Sequence, residues 1–175
     1  MAAKATSSFK HHSRPRNLPA IKDEGSDWYQ GWYFDLRLEE ELARAKRYNL
    51  PLSLLRIYLI GPAVKERDHN LLNELLSDVV SRKLRRMDIP AFLEGNEYAV
   101  ALPHTNQQQA EVVAKRLTKA FAPYSVAAGV ASFPEDGLQP EQLLVEAGQR
   151  ALASTTNGAG ATKPALRELR SGRRA

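Results

Sequence analysis

The side chains that could do chemistry gather around one stretch, Arg82 to Tyr98. Glu94 and Glu97 flank Gly95-Asn96 and could offer hard oxygens to a divalent cation. They leave the chain from different positions of a turn, however, so they do not make a joint metal site by themselves. Arg82, Lys83, Arg85 and Arg86 crowd together just ahead of Asp88. Cations there either offset the negative end of a helix dipole, each worth about 0.3–1 kcal/mol, or serve a ligand. Trp28, Tyr29, Trp32 and Tyr33 are a stacking platform or core packing, and aromatics at helical spacing are usually the latter. His11-His12 could touch a metal, but two neighbouring histidines in an unstructured stretch seldom make a site. With no cysteine, disulfides, thiolate metal sites and a cysteine nucleophile are excluded.

Two strands must position the central group. Ile89, Ala91 and Leu93 alternate, the alternation pauses at Glu94 to Glu97, and it resumes at Tyr98, Val100 and Leu102. Two period-two runs joined through Gly-Asn predict a β-hairpin, with positive φ at Gly95 and tolerated at Asn96. Pro103 cannot donate to a ladder and should end the second strand. Before the hairpin, a helix is expected from about Ser26, with Phe34, Leu38, Leu42 and Ala45 on one face and Glu40 paired to Arg44. Pro51 to Ile60 reads as a buried strand, and Leu71 to Val80 as a helix with Leu71, Leu72, Leu75, Leu76, Val79 and Val80 inward. Beyond the hairpin, Thr105 and Gln108 have capping-box spacing for a helix that buries Ala110, Val113, Leu117, Ala120 and Phe121. Tyr124 to Phe133 is a strand in which Gly129 allows a close backbone approach; Pro134 to Gly137 is a turn. Gln139 to Ala153 is a last helix with Leu143, Leu144, Ala147 and Ala151 inward.

A chain of 175 residues suffices for one domain with a real core. Its net charge of +5 is unevenly spread. Residues 1–22 carry +5 and residues 159–175 carry +4, which leaves the segment between them acidic at −4. Residues 1–22 and 159–175 are therefore expected to be disordered basic tails around a folded body at 23–158, with weak polyanion contact open to the tails. The apolar run Leu50 to Val64 is interrupted by Pro51, Arg56 and Pro62, so no membrane span is expected. The opening residues lack a signal-peptide core, which makes the cytoplasm the expected location.

The hairpin and its approach resemble the GGDEF family of diguanylate cyclases. That family has Arg-x-x-Asp, five residues, Gly-Gly-Asp/Glu-Glu-Phe at the turn, then an apolar strand ending Leu-Pro. The same frame reads here, without a gap, as Arg85 to Asp88, Ile89 to Leu93, Glu94-Gly95-Asn96-Glu97-Tyr98, and Ala99 to Pro103. The stretch from Asp23 through Phe34 to Leu55 is similar to the family's lead-in, first helix and first strand, although the interior of the lead-in is replaced. In the last helix Ala147 and Gly158 persist, while Gly148, Leu152 and Thr155 stand where the family has Asp, Tyr and Lys. The resemblance implies an α+β, nucleotidyl-cyclase-like sandwich: a central mixed β-sheet, helices on both faces, and the signature hairpin.

What the resemblance implies for activity is mostly loss. Joining two GTP molecules needs divalent metal on carboxylates of the first strand and the signature. The first-strand positions hold Tyr58 and Ile60, and the signature is altered at its first, third and fifth places, leaving Glu97 beside neutral Asn96. Glu94 in place of the first glycine would oppose a triphosphate. The following nucleotide-holding segment is shorter by about seven residues, with Gly61 to Asn70 in its place. No catalytic residue, metal or cofactor is therefore expected, with magnesium only if the chain were an active cyclase. Arg85-x-x-Asp88 matches the family's inhibitory site for cyclic di-GMP, where guanidinium can fork onto guanine and carboxylate can accept from it. The implied function is that of a pseudo-enzyme acting as a regulatory module, a cyclic di-GMP receptor through Arg85 and Asp88 or a surface for a protein partner. An active diguanylate cyclase and a protein- or polyanion-binding module without a nucleotide ligand are the alternatives. Family cyclases work in pairs, so a homodimer is open.

Overall fold

The computed structural model describes residues 20–23, 25–60, 69–122 and 124–156. The expected basic tails fall outside the described residues except for 20–22, and most of the 61–70 replacement segment does so too. Nine elements follow in chain order: β1 (Tyr29–Gln30), α1 (Gly31–Tyr48), β2 (Leu52–Ile60), α2 (His69–Lys83), β3 (Ile89–Glu94), β4 (Glu97–Pro103), α3 (Gln107–Ala120), β5 (Ser125–Phe133) and α4 (Pro140–Thr156). The strands form one sheet in the order β1-β3-β4-β2-β5. β1 runs parallel to β3 and the other neighbours are antiparallel, so the sheet is mixed.

Strand alternation divides the apolar residues between two cores. On one face Leu52, Leu54, Ala91, Ala99, Ala101 and Ala131 meet Phe34, Leu38 and Leu42 of α1 and Leu143, Leu144 and Ala147 of α4. On the other, Leu55, Ile57, Val100 and Leu102 meet Leu72, Leu76 and Val79 of α2, Ala110 and Leu117 of α3, and Phe121 just after it. The small residues on the first face let α4 approach closely. At Gly129 a Cβ would collide with the carbonyl oxygen of Ala147 and the amide of Ala151.

Several local expectations are corrected. The first helix starts at Gly31, not near Ser26, because Tyr29 and Gln30 are drawn into sheet pairing with Ala91 and Phe92. Contact with the body reaches back to Ile21, whose carbonyl accepts the Gln30 amide, and Lys22 bridges Tyr29. Glu40 pairs with Arg37, and Arg44 turns to Glu41, a buried carboxylate that also takes Arg37. Leu71 is exposed; the buried stripe of α2 is Leu72, Leu76 and Val79. The capping box of α3 is Asn106 with Gln109, one residue later than expected, since the Thr105 hydroxyl is spent on the Pro103 carbonyl. The hairpin falls where the alternation predicts, but positive φ rests on Gly95 alone (57°) and not on Asn96. The ladder slips between Phe92 and Glu94. No helix among the described residues is long and apolar enough to cross a membrane.

Candidate functional site at the hairpin end of the sheet

Antiparallel register places Tyr58 of β2 directly opposite Glu97 of β4. Arg56, two residues earlier on the same face, lies opposite Ala99 and Gly129. Its guanidinium reaches past Tyr58: Nη2 donates to Glu97 Oε2 at 2.6 Å, and Nη1 donates to the Leu144 carbonyl of α4 at 3.2 Å. The same group lies 5.3 Å from the centre of the Tyr58 ring. Burial pushes the Tyr58 phenol above its ordinary value; nearby Glu97 raises it further and Arg56 opposes them. The ring therefore stays neutral at physiological pH. One ion pair thus ties two strands and a helix together.

The basic cluster takes another form. Arg85 folds back onto Asp88, donating from its backbone amide to Oδ2 (2.8 Å) and from Nη2 to Oδ1 (3.0 Å). The same Nη2 also reaches Thr105 Oγ1 at 2.6 Å. The Asp88 side chain is only 1% exposed, whereas that of Arg85 is 49% exposed. Arg82 pairs with Asp78 one turn back, and Lys83 offers its carbonyl to Arg116 of α3. The aromatic group divides: Trp28 is fully buried, donates its indole N–H to the Leu76 carbonyl, and packs edge-on against Tyr98. Tyr33, in the first turn of α1, contacts both Tyr29 and Trp32.

The same arrangement of sheet and helices occurs in solved structures. A sensory box/GGDEF family protein from Caulobacter crescentus matches 79% of this chain and all of its own, at 22% identity and a TM-score of 0.65. The GGDEF domain of DgcB from the same organism, solved in complex with c-di-GMP, matches 80% of this chain and 92% of its own at 18% identity and a TM-score of 0.64. The diguanylate cyclase SiaD from Pseudomonas aeruginosa, solved with its activator SiaC, matches 79% of this chain and 59% of its own at 17% identity and a TM-score of 0.69. The chain has the GGDEF fold. No family model matches the chain, nor does any curated protein.

Within the GGDEF fold, the residues expected to matter are split between two places. Glu97 and Tyr58 meet at the hairpin end; Arg85 and Asp88 form a separate clasp at the start of β3. Glu94 pairs across the hairpin with Glu97, Gly95 makes the turn, and the Asn96 carbonyl accepts the Leu59 amide. Tyr98 points to the opposite face, into the α2/α3 core, where burial pushes its phenol up to about 12. Magnesium calls for several hard anionic oxygens. Here Glu97 is bound to Arg56, its neighbour on β2 is a neutral phenol, and Glu94 across the hairpin is exposed to solvent. Among the described residues no three His, Asp or Glu side chains are grouped as metal ligands. The residues present do not fit the ion.

Motif reading passed over Arg56 as a site residue and met Gly148 only as a departure from the family's Asp. A charged residue inside an otherwise apolar strand was the available signal for Arg56. For Gly148 the signal was the lost Asp, but what its missing side chain makes room for depends on how α4 packs on the sheet. A Cβ there would sit 2.8 Å from Arg56 Nη1 and 3.1 Å from the Tyr58 hydroxyl.

Proposed function

We propose that this chain is a catalytically degenerate GGDEF domain working as a regulatory module, one that contacts a partner protein and does not join GTP. The reading is carried by the Arg56–Glu97 ion pair, which occupies the carboxylate a metal would need. It is supported by Tyr58 opposite that carboxylate and by Glu94 at the turn. The complex of SiaD with its activator supplies a precedent for a protein partner on this fold. Incubating the purified chain with GTP and magnesium or manganese, followed by chromatography, should give no cyclic di-GMP. Product formed in proportion to protein would overturn the reading.

Reception of cyclic di-GMP through Arg85 and Asp88 is a second reading, favoured by the half-exposed Arg85 side chain and by the ligand held by the DgcB domain. For a guanine to use both residues, the bonds between them must open, because the buried Asp88 is already engaged. Calorimetry on the wild type and Arg85→Ala separates the cases. Heat in the first and none in the second supports a receptor; no heat in either leaves the protein-contact role. Removing residues 1–19 and 159–175 tests the polyanion alternative, since any polyanion binding that survives cannot reside in those tails.

A further inference from the structure

We infer that Arg56 is a resident counter-ion for Glu97, admitted by the missing side chain of Gly148, and that together they keep divalent cations out of the hairpin end. This deepens, and rests on, the non-catalytic reading of the same position. Three observations converge. Arg56 is half-way along a central strand, yet its guanidinium spans from Glu97 on β4 to the Leu144 carbonyl on α4. Its Nε is buried with no hydrogen-bond partner among the described residues, a cost that persists only if the head group is held for another reason. The head group and the Tyr58 hydroxyl lie where a side chain at position 148 would project.

A guanidinium and a divalent cation compete for the same carboxylate oxygen, and Arg56 already holds Glu97 Oε2. A cation diffusing in would have to evict Arg56 into a gap closed by Tyr58 and α4. Fixing the positive charge covalently gives the turn at Gly95-Asn96 one geometry at any cation concentration. That geometry is then available to a partner without a bound nucleotide. Gly148 acts as a positioning residue: the side chain it lacks would meet Arg56 and Tyr58, not a ligand.

The test compares cation binding in Tyr58→Asp, Tyr58→Asp/Arg56→Met and Tyr58→Asp/Gly148→Ala, by electron paramagnetic resonance of free Mn2+ with circular dichroism as the folding control. Tyr58→Asp places a carboxylate opposite Glu97 on the β2 side, with Glu94 on the β3 side, but leaves Arg56 on Glu97. We expect this variant to bind Mn2+ at least tenfold more weakly than either double variant. Gly148→Ala provides the independent arm, since its methyl group meets the flexible end of Arg56 and should displace it without cutting the strand. Equal affinity in all three, or no gain on either release of Arg56, overturns the inference. Neither outcome bears on the GTP assay of the unaltered chain, so the two claims fail separately.

Discussion

The Asp88 carboxylate receives the backbone amide, Nε and Nη2 of Arg85 while its own side chain is almost wholly out of solvent. Losing a buried, charge-assisted acceptor costs more than losing its exposed donor. Asp88→Ala should therefore destabilise the fold by about 1–3 kcal/mol in urea titrations, and Arg85→Ala by clearly less. Equal losses would mean that burial is not what sets the asymmetry. Asp136 makes a pH-dependent counterpart. Burial alone would raise its carboxyl, but hydrogen bonds from Arg150 and from the Ser132 amide outweigh that and hold it below its usual value. A lowered folded-state pKa stabilises above the unfolded value, near 4, and that stabilisation fades as pH falls through the folded value. Asp136→Asn should accordingly lower the thermal midpoint at pH 7, and its difference from wild type should shrink on acidification to pH 3. A constant gap across that range would contradict the assignment. Residue types alone did mark Arg85, Asp88 and Glu97 as candidates. What Glu97 binds was not legible, because Arg56 reaches it only through strand register, whereas Arg85 and Asp88 bind each other locally, three residues apart.

At the scale of elements, α4 lies so close on β5 that glycine is required at the contact. Gly129→Ala sets a methyl against main-chain atoms of Ala147 and Ala151, which cannot rotate away. Overpacking of this kind costs about 1–3 kcal/mol or more, and the thermal midpoint should fall with it. The cap of α3 is a milder case: Asn106→Ala removes the acceptor of the Gln109 amide and should cost about 1 kcal/mol in denaturant titrations. If Thr105→Ala left that cap intact but loosened the Arg85 hydrogen bond, the one-residue shift of the capping box would be confirmed. Among the described residues, periodicity located the four helices and the four longer strands. It missed β1, since a two-residue strand carries no period and forms only because β3 is there to receive it. The helix start moved for the same reason.

Across the whole molecule, the five-stranded sheet separates two apolar cores, and its inner strands β4 and β2 contribute to both. Trp28 closes the second core from outside the regular elements, with its ring against Tyr98 and Phe121 and its N–H on α2. Trp28→Ala should cost about 3–5 kcal/mol, and in chemical denaturation the midpoint should drop while the transition stays single. A transition that splits in two would show that the cores unfold independently. The amino-acid order by itself determined the kind and succession of the main elements, the hairpin and its turn, and the absence of a carboxylate at position 58. Those features are local: alternation, helical spacing and turn chemistry act over a few residues. Only tertiary structure decided that Arg56 serves Glu97, 41 residues away in the chain, and that Gly148 leaves room for it. Such pairings follow from strand register and from how closely a helix packs on a sheet, and neither is written in any one segment.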